Sequence, residues 1–151
     1  NRPLTSVSEV LAIKGMTKTL FNQLTHCGAD ASGPISCITA LPAYPTPINV
    51  NTAPMPVLAS LVRQPSSTLA AFLKTRITQP ASNASAVFQA PPQGFITAAD
   101  GTTQDMVSVT SSYFLLRVEA FVGSGRVALY SFYMRPSNGP PLLLGRSTGI
   151  E

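Results

Sequence analysis

Pro47-Ile48-Asn49-Val50-Asn51-Thr52-Ala53-Pro54 is the stretch on which the reading of this chain turns. Asn51 or Thr52 is placed to cap a helix, its side-chain oxygen taking one of the orphan amides of the first turn, and Pro54 falls where a missing donor costs little. Val57, Leu58 and Leu61 carry the buried stripe of the helix that follows, while Pro56 removes one of the first intrahelical hydrogen bonds and is expected to delay the regular helix by a residue or two. Further on, the spacing predicts a second helix capped near Ser66 or Ser67, with Leu69, Phe72, Leu73 and Ile77 facing the core, and a short turn over 82–88 adding one more apolar anchor.

Upstream of this stretch the pattern is again helical. Ser6-Val7-Ser8-Glu9 reads as a capping box, with Val7, Val10 and Leu11 on one face behind it. Lys14-Gly15 ends that helix, Thr17 caps the next, and Leu20, Phe21 and Leu24 form its apolar stripe. From 27 to 48, Gly28, Gly33, Pro34, Pro42, Pro45 and Pro47 interrupt any period, so the segment reads as loop.

Downstream the period changes from helical to two. Pro91-Pro92-Gln93-Gly94 reads as a hinge and Ala99-Asp100-Gly101 as a turn. Over 107–122, Phe114, Leu116, Val118, Ala120 and Val122 share one side and Arg117 and Glu119 the other; Gly123-Ser124-Gly125 closes a hairpin, and Ala128, Tyr130, Phe132 and Met134 mark the return strand. Residues 142–146 can form a short third strand. The expected fold is therefore α+β: a helical lobe over 1–95, similar to helix-hairpin-helix (SAM-like) units, followed by antiparallel strands over 96–151.

Composition narrows the function. Of 151 residues 44% are hydrophobic and only 11% charged, which argues against a disordered chain or a coiled coil. The net charge of +4 comes from ten cations scattered singly, with no run that could track a phosphate backbone. One His, two Cys and six carboxylates are a poor stock for acid–base, nucleophilic or metal-assisted catalysis, so no enzyme is expected. His26 reads as a loop residue, and Ser111 and Ser112 lie in a strand with no base near them in sequence. Asn83-Ala84-Ser85 matches a glycosylation sequon of low specificity. No stretch approaches the roughly 20 apolar residues of a membrane span.

Cys27 and Cys37 are spaced for a disulfide rather than for a zinc site, which wants closer pairs and more ligands; two buried thiols are the alternative. A bridge would fit an oxidising compartment such as the bacterial periplasm. Asp100 and Asp105 lie in one loop with Thr102, Thr103 and Gln104, a set of oxygens that suits a hard cation such as Ca²⁺, although Asp-Gly is first of all a turn dipeptide.

Pro3-Leu4-Thr5-Ser6-Val7-Ser8-Glu9-Val10, Ile13-Lys14-Gly15-Met16-Thr17, the 47–54 stretch and Val109-Thr110-Ser111-Ser112-Tyr113-Phe114 occur in this order, and together they resemble the minor pseudopilin K family of the type II secretion system. The resemblance implies that the chain matches the later part of a helical insertion plus the C-terminal strands of a pilin-like sheet. It further implies a noncatalytic protein of the pseudopilus tip that supports assembly and protein export. The implied partners are the I and J minor pseudopilins and secreted substrates. The implied setting is the periplasm, with the full-length protein held in the inner membrane by an N-terminal helix missing from this sequence. The association of calcium with the family adds to the case for Asp100 and Asp105. Pro56 departs from the family, where a good helix former is usual, and the Cys27 to Cys37 loop is longer than the family's connection.

The competing class is a helix-hairpin-helix nucleic-acid module, which residues 13–17 and 49–53 resemble. Such modules bind phosphate through a hairpin with two closely spaced glycines; here only Gly15 is present, and 63–66 has none, so no nucleic-acid partner is expected. A carbohydrate- or adhesin-like periplasmic β domain is a weaker third.

Overall fold

The computed structural model describes residues 4–30, 33–43, 45–61, 67–88 and 106–150. The chain divides into two compact units, 1–109 and 110–151.

The first unit opens with a 3₁₀ helix, Val7–Ala12. The expected capping box does not close. The Ser6 hydroxyl accepts from the Ser8 amide at 3.3 Å, one residue early, and the Glu9 carboxylate is taken by the Thr5 hydroxyl instead of reaching back to Ser6. Three neighbouring hydroxyls offer the backbone local partners that compete with an α turn, and Gly15, at φ +91°, stops the segment before a longer helix can form. Helix α1 (Lys18–Thr25) begins as expected, the Thr17 Oγ1 accepting from the Leu20 amide at 3.1 Å.

Where the sequence read as loop, β1 (Gly28–Asp30) and β2 (Gly33–Ile35) pair as a small antiparallel ladder. Cys27 and Cys37 form a disulfide at its base, with Cα atoms 5.9 Å apart. The Cys27 amide donates to the Ile35 carbonyl at 3.0 Å and the Cys37 amide to the Leu24 carbonyl at 2.9 Å, so the base of the ladder is bonded back onto α1.

The core of this unit lies around the 47–54 stretch. Strand β3 (Ile48–Asn49) runs into α2 (Met55–Ser60), and α3 (Ser67–Thr75) and a 3₁₀ turn (Ala84–Phe88) follow. Strand β4 (Val107–Ser108) returns to pair with β3 in parallel, Ile48 opposite Val107. Val50, Ala53, Leu58, Leu69 and Val107 are the buried residues, with Val57, Leu61, Phe72 and Leu73 packed around them and Ala81 and Ala84 as the anchors expected near 82–88.

Two details differ from the sequence reading. Neither Asn51 nor Thr52 caps α2; its N-cap is Pro54, whose carbonyl accepts from the Val57 and Leu58 amides at 3.0 and 3.1 Å. Pro56 then falls at the second helical position, where an amide would have had no intrahelical partner, so it delays nothing. In α3, Leu69, Phe72 and Leu73 face the core, but Ile77 is 87% exposed because the helix has ended at Thr75. Arg76 turns inward in its place, donating from Nη1 to the carbonyls of Val50 and Ala53 at 3.2 and 2.6 Å.

The second unit is an antiparallel sheet in the order β5 (Tyr113–Val122), β6 (Gly125–Met134), β7 (Leu142–Ile150). Val122 pairs with Gly125, so the loop is the two residues Gly123-Ser124, with Gly123 at φ +58°. A left-handed first loop residue matches the twist of the strands, which is why glycine stands there. The run expected as one strand over 107–122 breaks at 109–112: Val107–Ser108 pairs with β3 and Tyr113–Val122 with β6. Strand β7 extends beyond the expected 142–146, and a bulge between Phe132 and Tyr133 lets it carry one extra residue against β6. The fold is mixed α+β, short helices first and a three-stranded antiparallel sheet after them.

Candidate functional site

Because side chains alternate across a strand, the pairing of β5 with β6 sorts the sheet into two faces. Tyr113, Leu115, Arg117, Glu119 and Phe121 of β5 lie with Arg126, Ala128, Tyr130, Phe132 and Met134 of β6. The opposite face holds Phe114, Leu116, Val118, Ala120 and Val122 with Val127, Leu129, Ser131 and Tyr133, and β7 adds Leu143 and Arg146.

The first face is chemically saturated. Glu119 is bonded by Arg126 at 2.5 Å across the ladder and by Arg117 beside it on β5. The Arg126 hydrogen bond, then the charge of Arg117, hold the Glu119 carboxyl below its ordinary range despite some desolvation. The Arg117 guanidinium lies 5.7 Å from the centre of the Tyr130 ring directly opposite, and Tyr113 stacks on Phe132 with centroids 5.8 Å apart. The aromatic residues are thus engaged within the sheet rather than arrayed as a platform for bases.

The second face is apolar and open. Phe114, Leu116, Val118, Val127 and Leu143 are all exposed, and Val122 is 79% exposed. Monomeric soluble proteins seldom present so continuous an apolar surface unless something covers it. Its charges, among the described residues, are two cations. Arg146 Nε donates to the hydroxyl of buried Ser131 at 3.3 Å, and the Arg135 guanidinium lies 5.5 Å from the centre of the Phe114 ring.

In the first unit, polar groups are used as fasteners. Asn51 Oδ1 accepts from the Ala81 amide at 2.8 Å, and Nδ2 donates to the Ala81 carbonyl at 3.1 Å and more weakly to that of Val109 at 3.5 Å. One side chain therefore fastens the start of α2, the segment after α3 and the end of β4. Burial lowers the pKa of Arg76 from its ordinary value without uncharging it.

The remaining sequence-level candidates are dispersed. His26 caps the end of α1, Nδ1 lying 3.0 Å from the Thr25 hydroxyl and 3.3 Å from the Asn22 carbonyl. Ser112 offers its carbonyl to the Arg135 amide at 2.7 Å, at the entrance to the sheet. Asn83 Oδ1 accepts from the Ala86 amide at 2.9 Å and so caps the last 3₁₀ turn. Asp100 and Asp105, and with them the hinge at 91–94 and the turn at 63–66, lie outside the described residues. Among the described residues no three His, Cys, Asp or Glu side chains gather as a metal site would require, and no helix is long and apolar enough to cross a membrane. The Arg126 and Tyr130 partners of Glu119 and Arg117 went unread in the sequence; the two-residue hairpin loop is the signal that fixes which residues face each other.

No protein-family model and no curated protein matches the chain. A solved structure does: a chain in the crystal structure of the GspK-GspI-GspJ complex from the type 2 secretion system of enterotoxigenic Escherichia coli, with a TM-score of 0.63 and 24% sequence identity. The match takes in 99% of this chain and 49% of the solved one, so this chain spans about half the length of the protein it is similar to. The likeness extends across both units and is a likeness of fold.

Proposed function

We propose that this chain is the later part of a noncatalytic minor pseudopilin of the K type, which caps the tip of a type II secretion pseudopilus and supports its assembly and protein export. The observation that carries the reading is the fold match to a pseudopilin complex over nearly the whole chain, made by a sequence whose motif order had already suggested that family. The open apolar sheet face fits it, because a subunit that works by contact needs a surface it cannot satisfy alone. The disulfide is consistent with a periplasmic setting.

On this reading the partners are the I and J minor pseudopilins, with secreted proteins passing nearby, and the full-length protein is anchored in the inner membrane by a helix outside this sequence. A Ca²⁺ ion held by Asp100 and Asp105 belongs to the same proposal; a calcium-dependent rise in melting temperature, abolished in Asp105→Ala, would support it, and an unchanged melt would remove it. The function is tested in the cell. Deleting the gene should leave the system's secreted proteins trapped inside the envelope, with export restored by the full-length copy. Normal export in the deletion strain would overturn the proposal.

A further inference from the structure

The apolar face of the sheet has the dimensions of one helix. Three strands span two inter-strand spacings of about 4.8 Å, or roughly 10 Å, close to the diameter of an α-helix with its side chains. The ten residues of β6 give a length of about 34 Å, matched by roughly 22 helical residues. The face is also electrostatically one-sided. Its charges among the described residues are Arg146 and, at the end, Arg135, while Glu119 is held on the opposite face by Arg117 and Arg126.

Arg146 is the sharper feature, because it stands within the apolar surface and its position is fixed. Ser131, 2% exposed, accepts from its Nε at 3.3 Å across the ladder, an arrangement that leaves the fork of terminal nitrogens as a ready grip for a carboxylate. Covering a guanidinium with purely apolar atoms carries a large desolvation cost, so whatever buries this face must bring an opposite charge to that point.

We propose that Arg146 is the specificity-determining residue of this face, and that the face takes one apolar α-helix presenting a single acidic side chain to the guanidinium. The inference rests on the reading of the chain as an assembly subunit, and it adds which helices the subunit accepts.

The test uses the 151-residue chain and two amphipathic helical peptides of about 22 residues. One face is Leu and Ala and the other Gln and Ser, and the peptides differ only in one Glu or Gln within the apolar face. Calorimetry should give at least about tenfold tighter binding of the Glu peptide, a modest gain for a close charge pair. Amide resonances of Val118, Leu129 and Leu143 should shift. Arg146→Met should level the two peptides and Arg146→Lys should retain part of the preference. Equal binding of both peptides to the wild type would overturn the role of Arg146 while leaving an apolar docking face and the assembly reading intact. Binding of neither, or shifts elsewhere, would overturn the docking face itself. Concentration-dependent dimerisation that protects the same resonances would make a second copy the occupant and would likewise overturn the proposal.

Discussion

Replacing Asn51 by Ala should cost the first unit far more than a surface substitution. The side chain makes two well-formed hydrogen bonds, with the Ala81 amide at 2.8 Å and the Ala81 carbonyl at 3.1 Å, and a marginal one to Val109 at 3.5 Å. Each normal bond contributes about 1 kcal/mol net, and a donor or acceptor left unsatisfied in a partly buried place costs about 1–3 kcal/mol. Discounting the long contact, and allowing water to reach some of the freed groups, gives a loss of about 2–4 kcal/mol. At about 2–4 °C per kcal/mol for a domain of this size, the melting temperature should fall by about 5–15 °C. Asn51→Asp should be no better: the acceptor toward the Ala81 amide survives, but a carboxylate oxygen now faces two carbonyls. Thermal unfolding by circular dichroism gives the magnitude, with Asn22→Ala on exposed helix α1 as a control expected within about 0.5 kcal/mol of the wild type. Hydrogen exchange gives the location: the Ala81 amide should lose protection while the β5–β6 ladder keeps its own. A fall below about 2 °C for both Asn51 variants, or equal loss of protection in the sheet, would refute the assignment of Asn51 as the fastener.

Further outcomes follow from the same geometry. Cys27→Ser with Cys37→Ser should cost about 2–3 kcal/mol, the entropy of opening a loop of this length, with the loss read as early exchange of the Cys37 amide bonded to Leu24; an unchanged melt with and without reductant would refute it. Arg76→Ala should destabilise by about 2–3 kcal/mol by orphaning the carbonyls of Val50 and Ala53, and Arg76→Met, which keeps the stem's packing, should recover only part of this in urea unfolding. The Glu119 carboxyl is more acidic when folded than when unfolded, so the stability it contributes is present at neutral pH and is lost as pH falls through the folded pKa. Carboxyl NMR should place its midpoint below that of an ordinary Glu, and Arg126→Ala should raise it; a midpoint unmoved by that substitution would contradict the assignment.

The readings that survived from sequence to structure were those whose physics is local. Thr17 caps α1 and Gly15 takes a positive φ because both depend on a few neighbouring residues. The β5–β6 hairpin was legible because a period of two ran up to Gly123-Ser124 from both sides, and the loop length then fixes every pair. What misled was the competition from distant residues. Asn51 has the chemistry of a cap, but its side chain is held by Ala81, thirty positions away, so Pro54 is left to begin α2. Ile77 continues the spacing of Leu69 and Leu73, yet the helix stops two residues earlier and Arg76 takes the inward position. The parallel pairing of Val107 with Ile48 has no local signature, which is why 107–122 read as one strand. The candidate site was half legible: the apolar set on β5 was read correctly, but nothing in the sequence told that β6 would place Ser131 beneath Arg146 on that side.

The central claim, that this protein acts by joining other pseudopilins, is tested most directly by sedimentation of the full-length periplasmic portion with the purified I and J minor pseudopilins encoded alongside it. The account predicts one ternary species that sediments faster than any component, and slower exchange of the β5 and β7 amides on assembly. Three components sedimenting independently at concentrations where I and J bind each other would contradict it.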